Sequence, residues 1–416
     1  TMHQQSPIVR NDENTKNGWT RLNDSGVASS SSSLSDRSTG SQSGILMPLK
    51  MNAESFYRTP GALKFRRRCP PPSYDQDLIL DLPIDCLLRI TDELSLNDLI
   101  NMMQTCRKLS VIGNASACWR CVDFGDRTVP SDVIKKTILR GTTVLRLCGT
   151  NIVDPLIPDN DVPLVSNLTH IDASRLSLNG TSHSMLTQIV LSSHNLTHLS
   201  LSGCEISLNI ATHLSHINRI THLDISMCDN VTPLHLSLIL TRSGRSIEEL
   251  NVSCSRVGRE GSMVIGCLCS TNLLRLDLSG SGPGLPPNED APDDSIDDQV
   301  ICVLVKNCPS IWELHLSDSP NLTKAAFDDI MTLRDLESLS LSRCYGIQPQ
   351  EYLRADRLTN LCVYGLLAED GVQTLRDRLP STRVNDLELA ISTVARPTPP
   401  PRITSLWGIK VKPFNI

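Results

Sequence analysis

The stretch Asn195 to Cys204, NLTHLSLSGC, recurs in altered form along most of the chain, and such a repeat restricts the possible folds more than any other feature here. The copies in register are Asn167-Leu168…Ile171…Ala173, Asn195-Leu196…Leu199…Leu201, Arg219-Ile220…Leu223…Ile225, Ser246-Ile247…Leu250…Val252, Asn272-Leu273…Leu276…Leu278, Ser310-Ile311…Leu314…Leu316, Asp335-Leu336…Leu339…Leu341 and Arg357-Leu358…Leu361…Val363. A degenerate forerunner sits at Leu145 and Leu147. The first apolar positions, 168, 196, 220, 247, 273, 311, 336 and 358, stand 28, 24, 27, 26, 38, 25 and 22 residues apart. A unit this short cannot bury its own apolar side, so the copies must stack on one another.

Nearly all of these periods fall in the leucine-rich-repeat range. L-x-x-L-x-L gives a short strand, and the remaining ~18 residues of each copy return as helix or turn. The expected fold is therefore an α/β leucine-rich-repeat solenoid, with parallel strands on the concave face and helices outside. The returning segments Ile206 to Ile217, Leu234 to Leu240 and Ile296 to Val305 carry the spacing of a helix with one buried stripe, and Ser295-Ile-Asp-Asp298 reads as a capping box opening the third.

Alternation along the strands sets three rows facing away from the core. The first is His170, His198, His222, Glu249, Arg275, Glu313, Ser338, Asn360. The second is Asp172, Ser200, Asp224, Asn251, Asp277, His315, Ser340, Cys362, and the third Ser174, Ser202, Ser226, Ser253, Ser279, Ser317, Ser342, Tyr364. Such a polar surface suits recognition of another protein better than an apolar cofactor pocket, and no cofactor is expected. The stacked histidines with Asp172 and Asp224 suggest a metal site. However, strands ~4.8 Å apart set the outer two imidazoles ~10 Å from each other, too far for one ion, and a solvated ladder is the reading preferred.

Composition narrows the partners. A net charge of −6 with no long basic run argues against nucleic acid; the one basic knot, Lys64, Arg66, Arg67 and Arg68, fits a solvated linker or a nuclear-import signal. No apolar run reaches the ~20 residues that span a bilayer, and the first residues are polar, so an intracellular protein of nucleus and cytoplasm without membrane contact is expected. The chain opens with Thr1 rather than Met, which leaves a fragment with a lost leader open. Among 15 cysteines, Cys204, Cys228, Cys254 and Cys344 fall at or beside the end of the repeat strand and read as reduced packing thiols. The sequons Asn167-Leu-Thr169, Asn195-Leu-Thr197 and Asn321-Leu-Thr323 are by-products of the repeat.

Residues 1–76, with the serine run Ser29 to Ser33 and prolines Pro70 to Pro72, are too poor in apolar side chains to order and are expected to be disordered. Residues 77–124 change abruptly to a helical pattern, 125–392 hold the repeats and 393–416 form a tail. In the helical unit Pro83 suits the first turn of a helix carrying Leu87, Leu88, Ile90 and Leu94. Ser95-Leu-Asn-Asp98 caps a second helix through Leu99, Ile100 and Met103, a third covers roughly Lys108 to Ile112, and Trp119 closes the unit. A body of about 45 residues cannot cover so many apolar groups, so the surplus needs either the solenoid's first cap or a separate protein.

The run Leu82-Pro83-x-Asp85-x-Leu87-Leu88…Leu94-Ser95-Leu96-x-Asp98-Leu99…Cys106-Arg107…Trp119-Arg120 resembles an F-box, the all-α three-helix segment by which substrate receptors dock on the Skp-type adaptor of cullin ubiquitin ligases. It departs from the usual pattern at Thr91, where an aromatic is common, and at Thr105 and Leu109. The resemblance implies adaptor contacts at Leu82, Pro83, Leu87, Leu88, Ile90, Leu94, Leu96, Leu99 and Trp119. Leu339-Ser-Leu-Ser-Arg-Cys-Tyr345 and Ala395-Arg-Pro-Thr398…Trp407-Gly-Ile-Lys410 resemble blocks of the F-box/leucine-rich-repeat receptors that send cyclin-dependent-kinase inhibitors to proteasomal degradation. In that family late-repeat residues and a returning tail bind a small cyclin-kinase-subunit accessory protein that helps read a phosphorylated protein substrate. Asp318, Arg343, Tyr345 and Trp407 carry over as candidates, while Cys254 stands where the family has an aromatic. An Asp318–Arg343 rim ion pair of little energetic value is the plainer alternative.

The 38-residue gap holds an acidic insertion, 282–298, with Glu289, Asp290, Asp293, Asp294, Asp297 and Asp298, read as a tolerated surface loop or a site for a basic peptide. Leu406, Trp407, Ile409 and Val411 are too apolar to hang free, so the tail should dock on the array; by resemblance it folds back over the concave side. The single CxxC, Cys118-Trp-Arg-Cys121, has no second pair to complete a zinc site, Cys267-Leu-Cys269 is isolated, and no phosphate loop or nucleophile motif appears. A non-catalytic receptor subunit is the preferred reading, with an interaction scaffold as the alternative and an enzyme a distant third.

Overall fold

The computed structural model describes residues 79–155, 164–177, 179–282, 294–386, 391–397 and 405–413. The expectations for residues 1–76, for Lys64 and Arg66 to Arg68, and for Glu289, Asp290 and Asp293 lie outside those residues.

Three helices open the described chain: α1 (Ile84–Asp92), α2 (Leu96–Thr105) and α3 (Arg107–Gly113), followed by a 3-10 turn, Ser116–Trp119. Pro83 stands one residue earlier than expected, at the N-cap, where φ −55° and ψ 148° lead into the helix. Ser95 caps α2 as its sequence signature indicates: Oγ accepts from Asp98 N at 3.2 Å. Trp119 ends the unit buried, its indole N–H donating to Gly113 O at 2.7 Å.

The repeats form a sheet of twelve parallel strands that follow the chain from Cys121–Asp123 at one end to Arg383–Val384 at the other, with Lys412–Pro413 added outside the first. Eight of them are the expected strands: β5 (His170–Asp172), β6 (His198–Ser200), β7 (His222–Asp224), β8 (Glu249–Asn251), β9 (Arg275–Asp277), β10 (Glu313–His315), β11 (Ser338–Ser340) and β12 (Asn360–Cys362). Their pairing places His170, His198, His222, Glu249, Arg275, Glu313, Ser338 and Asn360 in one row, the register read from sequence. The core runs along the other side of the sheet, with Leu168, Leu196, Ile220, Ile247, Leu273 and Ile311 fully buried. β3 (Val144–Arg146) is the degenerate forerunner. β1 (Cys121–Asp123) and β13 (Arg383–Val384) extend the array at either end, and β2 (Thr128–Pro130) pairs with β4 (Asn151–Val153) beside it.

Just past the third row every repeat turns through a left-handed residue. φ is 53° at Arg175, 70° at Gly203, 56° at Met227, 55° at Cys254, 64° at Gly280, 63° at Asp318, 60° at Arg343 and 73° at Gly365. The first seven donate the backbone N–H to the next repeat, as Arg175 does to Ser202 O at 2.7 Å and Asp318 to Ser342 O at 2.9 Å. A residue or more further on, a small polar side chain bonds back to the preceding repeat. Cys204, Cys228 and Cys344 Sγ reach Ala173, Leu201 and Leu316 O at 3.1, 3.3 and 3.2 Å, and Ser255 Oγ reaches Ile225 O at 2.8 Å. Three of the four packing thiols are thus placed where a weak buried donor is wanted. Cys254 is not: it occupies the left-handed turn and is exposed.

Outside the sheet the return helices sit where the apolar stripes put them, α6 (Leu208–Leu214), α7 (Pro233–Ser243) and α9 (Asp298–Asn307) among them, after α4 (Ser131–Leu139) and α5 (Gly180–Ser192), with α8 (Gly258–Leu268) between α7 and α9. The cap of α9 differs from expectation. Asp297, not Ser295, is the N-cap, its Oδ1 accepting from Val300 N at 3.1 Å, because a carboxylate suits the positive end of a helix better than a hydroxyl.

Candidate protein-interaction surfaces

The helical unit divides the expected adaptor residues into two groups. Leu87, Leu96, Leu99 and Trp119 are at most 2% exposed, and Leu96, Leu99 and Trp119 share one core with the repeats. They hold the unit together and cannot be touched from outside, which corrects their reading as contacts. Leu82, Leu88 and Leu94 are half-buried, whereas Pro83 and Ile90 are exposed. Two further side chains that the sequence reading passed over, Ile84 at 61% and Val111 at 70% exposure, join Ile79 at 52% and Ile90 at 40%. Thr91 is not on this surface: it is buried, its Oγ1 donating to Leu88 O at 2.6 Å and meeting Cys118 Sγ at 3.2 Å, so the missing aromatic is replaced inside the unit.

The strand face is polar as expected, but its middle row is closed and most of the rows beside it are half-buried. No residue of the second row exceeds 7% exposure. The rows satisfy each other: Asp172, Asp224 and Asn251 each accept from the N–H and Oγ of the serine two residues on, between 2.6 and 3.1 Å. Ser200 Oγ then donates to Asp224 Oδ2 at 2.9 Å. Burial pushes the Asp172 carboxyl up to about 6.

At the middle of the array Arg275 bridges Glu249 at 3.0 Å and Glu313 at 2.6 Å, and Glu313 meets His315 Nε2 at 2.7 Å. The tail is fastened to this network. Arg275 Nη2 donates to Thr393 Oγ1 at 2.7 Å, Ala395 N to Glu249 Oε2 at 2.7 Å, Asn251 Nδ2 to Val394 O at 3.2 Å and Arg396 Nη2 to Ser253 Oγ at 3.3 Å. Burial raises the Glu249 carboxyl, but His222, Arg275 and the Ala395 N–H outweigh it and hold the group at about 2.

The three histidines stack, with ring centroids 4.2 and 4.0 Å apart. Thr169, Thr197 and Thr221 each donate Oγ1 to the carbonyl of the threonine one repeat earlier, so their single proton is used and each neighbouring Nδ1 must be the donor in its 2.8–2.9 Å contact. Burial, reinforced by the neighbouring imidazoles, lowers His170 to about 4 and His198 to about 3, so both are neutral near pH 7. Among the described residues no three His, Cys, Asp or Glu side chains converge on a possible metal position. Trp407 covers the stack, 5.8 Å from His170 and 5.3 Å from His198, and its indole N–H donates to Ala395 O at 3.3 Å. Its aromatic face is therefore spent inside the chain.

What stays open is the rim of left-handed turns. Arg343 Nε and Nη2 donate to Asp318 Oδ1 and Oδ2, the second at 2.6 Å, and both residues are exposed. Tyr345 stands beside them, 65% exposed. A non-glycine residue at positive φ carries a conformational cost of ~1 kcal/mol or more, and Gly203, Gly280 and Gly365 show that the turn accepts glycine. Half of the acidic insertion is, by contrast, structural: Asp297 pairs with Arg259 Nε at 2.6 Å, Asp294 Oδ1 accepts from Arg259 N at 2.9 Å, and Asp298 accepts from Thr323 N at 2.8 Å. Cys118 is buried and Cys121 half-buried in β1, as packing groups.

Residues 132–413 match the family described as the SKP2 LRR domain, and residues 79–125 match the F-box-like family. Among solved structures, a chain of the yeast Rad7–Elc1 complex is similar at 13% identity and TM-score 0.33, over 76% of this chain and 91% of that one. LegL7, a leucine-rich-repeat protein of Legionella pneumophila, is 16% identical with TM-score 0.36, over 62% and 78%. Internalin C2 of Listeria monocytogenes is 16% identical with TM-score 0.31, over 50% and 75%.

Proposed function

The chain belongs to the SKP2 leucine-rich-repeat family, with an F-box-like unit ahead of its repeats, and from that premise we propose that it is the substrate-recognition subunit of a Skp-cullin-F-box ubiquitin ligase. It contributes recognition rather than catalysis. The F-box takes a Skp-type adaptor and, through it, a cullin. The repeats take a phosphorylated cell-cycle regulator such as a cyclin-dependent-kinase inhibitor, with a small cyclin-kinase-subunit protein completing the site at Asp318, Arg343 and Tyr345. Trp407 acts indirectly, by holding the tail on the histidine stack.

The observation that supports the adaptor is that Ile79, Ile84, Ile90 and Val111 stay exposed on the helical unit while Leu87, Leu96, Leu99 and Trp119 are buried. Burying Leu96, Leu99 and Trp119 with the repeats also favours a second reading, a scaffold in which the unit is only a cap. Capture of purified adaptor separates the two. Ile84→Asp with Val111→Asp leaves the thermal midpoint in place, since both side chains are exposed, and abolishes capture on the receptor reading. Full capture by the double variant supports the cap.

A further inference from the structure

The last described stretch of tail, 405–413, touches three parts of the molecule. Leu406 and Val411 close a small core with Val144, edged by Cys121, Trp407 and Ile409. Lys412–Pro413 adds a parallel strand to β1, with Lys412 opposite Val122. Finally, Lys412 Nζ donates to Thr91 O at 2.7 Å and lies 3.8 Å from Asp92 Oδ1, while Lys410 Nζ meets Glu93 Oε2 at 3.0 Å. Thr91 and Asp92 are the last residues of α1 and Glu93 is its C-cap.

A helix C-terminus presents carbonyls without intrahelical partners at the negative end of its dipole, so an ammonium there both donates and neutralises. The two lysines are not equivalent. Lys410 and Glu93 are 72% and 76% exposed, and such a pair contributes little. The Lys412 side chain is 14% exposed, and its bond to the carbonyl is charge-assisted and screened from water.

The attachment matters because α1 is otherwise loosely tied. α2 is anchored by Leu96 and Leu99 in the continuous core of the repeats. Leu87 of α1 is buried but outside that core, Leu88 meets it half-buried, and Thr91 reaches Cys118. We propose that Lys412 is a positioning residue: the end of the chain returns to the first strands to fix the angle of α1, the helix that carries Ile84 and Ile90, against the sheet. This rests on the receptor reading, in which α1 carries the adaptor, so that its angle sets where the rest of the ligase stands relative to the rim.

Lys412→Met keeps an apolar stem on Val122 and removes the amine; Lys412→Arg restores a cation. In the full chain, Lys412→Met should speed hydrogen exchange at the Glu93 and Leu94 amides about tenfold, the equivalent of one charge-assisted bond. The thermal midpoint and the adaptor Kd should not move. In the ligase assembled with adaptor, cullin and conjugating enzyme, ubiquitin transfer to the receptor's own lysines should fall about threefold or more, and Lys412→Arg should restore both readouts. Unchanged exchange, or faster exchange with unchanged transfer, overturns the proposal while adaptor capture by the parent chain still upholds the receptor reading. Failure of the parent chain to capture adaptor overturns that reading instead.

Discussion

Ser342 and Arg343 are neighbours in the chain with opposite fates. Ser342 lies on the strand face, 6% exposed, while Arg343 lies on the rim, exposed and in a left-handed turn. Both positions recur in every repeat, and the difference between them separates two uses of polar residues. On the strand face carboxylates, amides and hydroxyls bond to one another and to the tail, so they specify the register of the stack. On the rim, side chains take up a strained backbone and reach into solvent. A polar row is therefore not a recognition surface until its hydrogen bonds have been accounted for.

The contrast predicts how substitutions sort. Arg275→Ala breaks the strand face at its most connected point, leaving half-buried Glu249 and buried Glu313 without their shared cation and releasing Thr393. Urea unfolding should show a loss of about 3 kcal/mol or more. A loss below about 1 kcal/mol would mean that the network is solvated. Gly203→Ala tests the rim backbone alone, because a Cβ there meets nothing nearer than Arg175 Cγ at 3.9 Å. The left-handed φ should cost about 1–2 kcal/mol with no steric contribution.

His198→Phe sharpens the strand-face side. His198 titrates near 3 in the folded chain against about 6.5 when unfolded. Its contribution to stability is thus complete above pH 6.5 and is lost as the pH falls toward 3, where the unfolded chain binds the extra proton. Thermal midpoints should fall less steeply for the variant than for the parent between pH 6.5 and 4.

The repeat was legible because its physics is local and periodic. Alternation fixed which side chains face the core, and the stacked rows followed. The outermost strands were harder to see. Trp119…Val122…Phe124 has the same L-x-x-L-x-L spacing, but Trp119 also closes the helical unit, so one residue serves two patterns. The fastening of the tail to the strand face was out of reach, since it rests on contacts such as Ala395 with Glu249, 146 residues apart. Exposure misled in the helical unit too. Leu87 and Leu99 fit the adaptor motif as well as Ile90 does, and only packing shows that they point inward. Asp318 and Arg343 were legible as candidates by resemblance, but not that they occupy left-handed turns, which Gly203, Gly280 and Gly365 fill in three other repeats and Arg175, Met227 and Cys254 in the rest.

Capture of a phosphorylated kinase inhibitor, in the presence of the accessory protein, by Arg343→Glu compared with the parent chain is the most direct test of the account. The rim should surrender its ion pair at a cost within about 1 kcal/mol of stability, while capture weakens about tenfold or more. Equal capture by the two chains, with the variant folded, would contradict it.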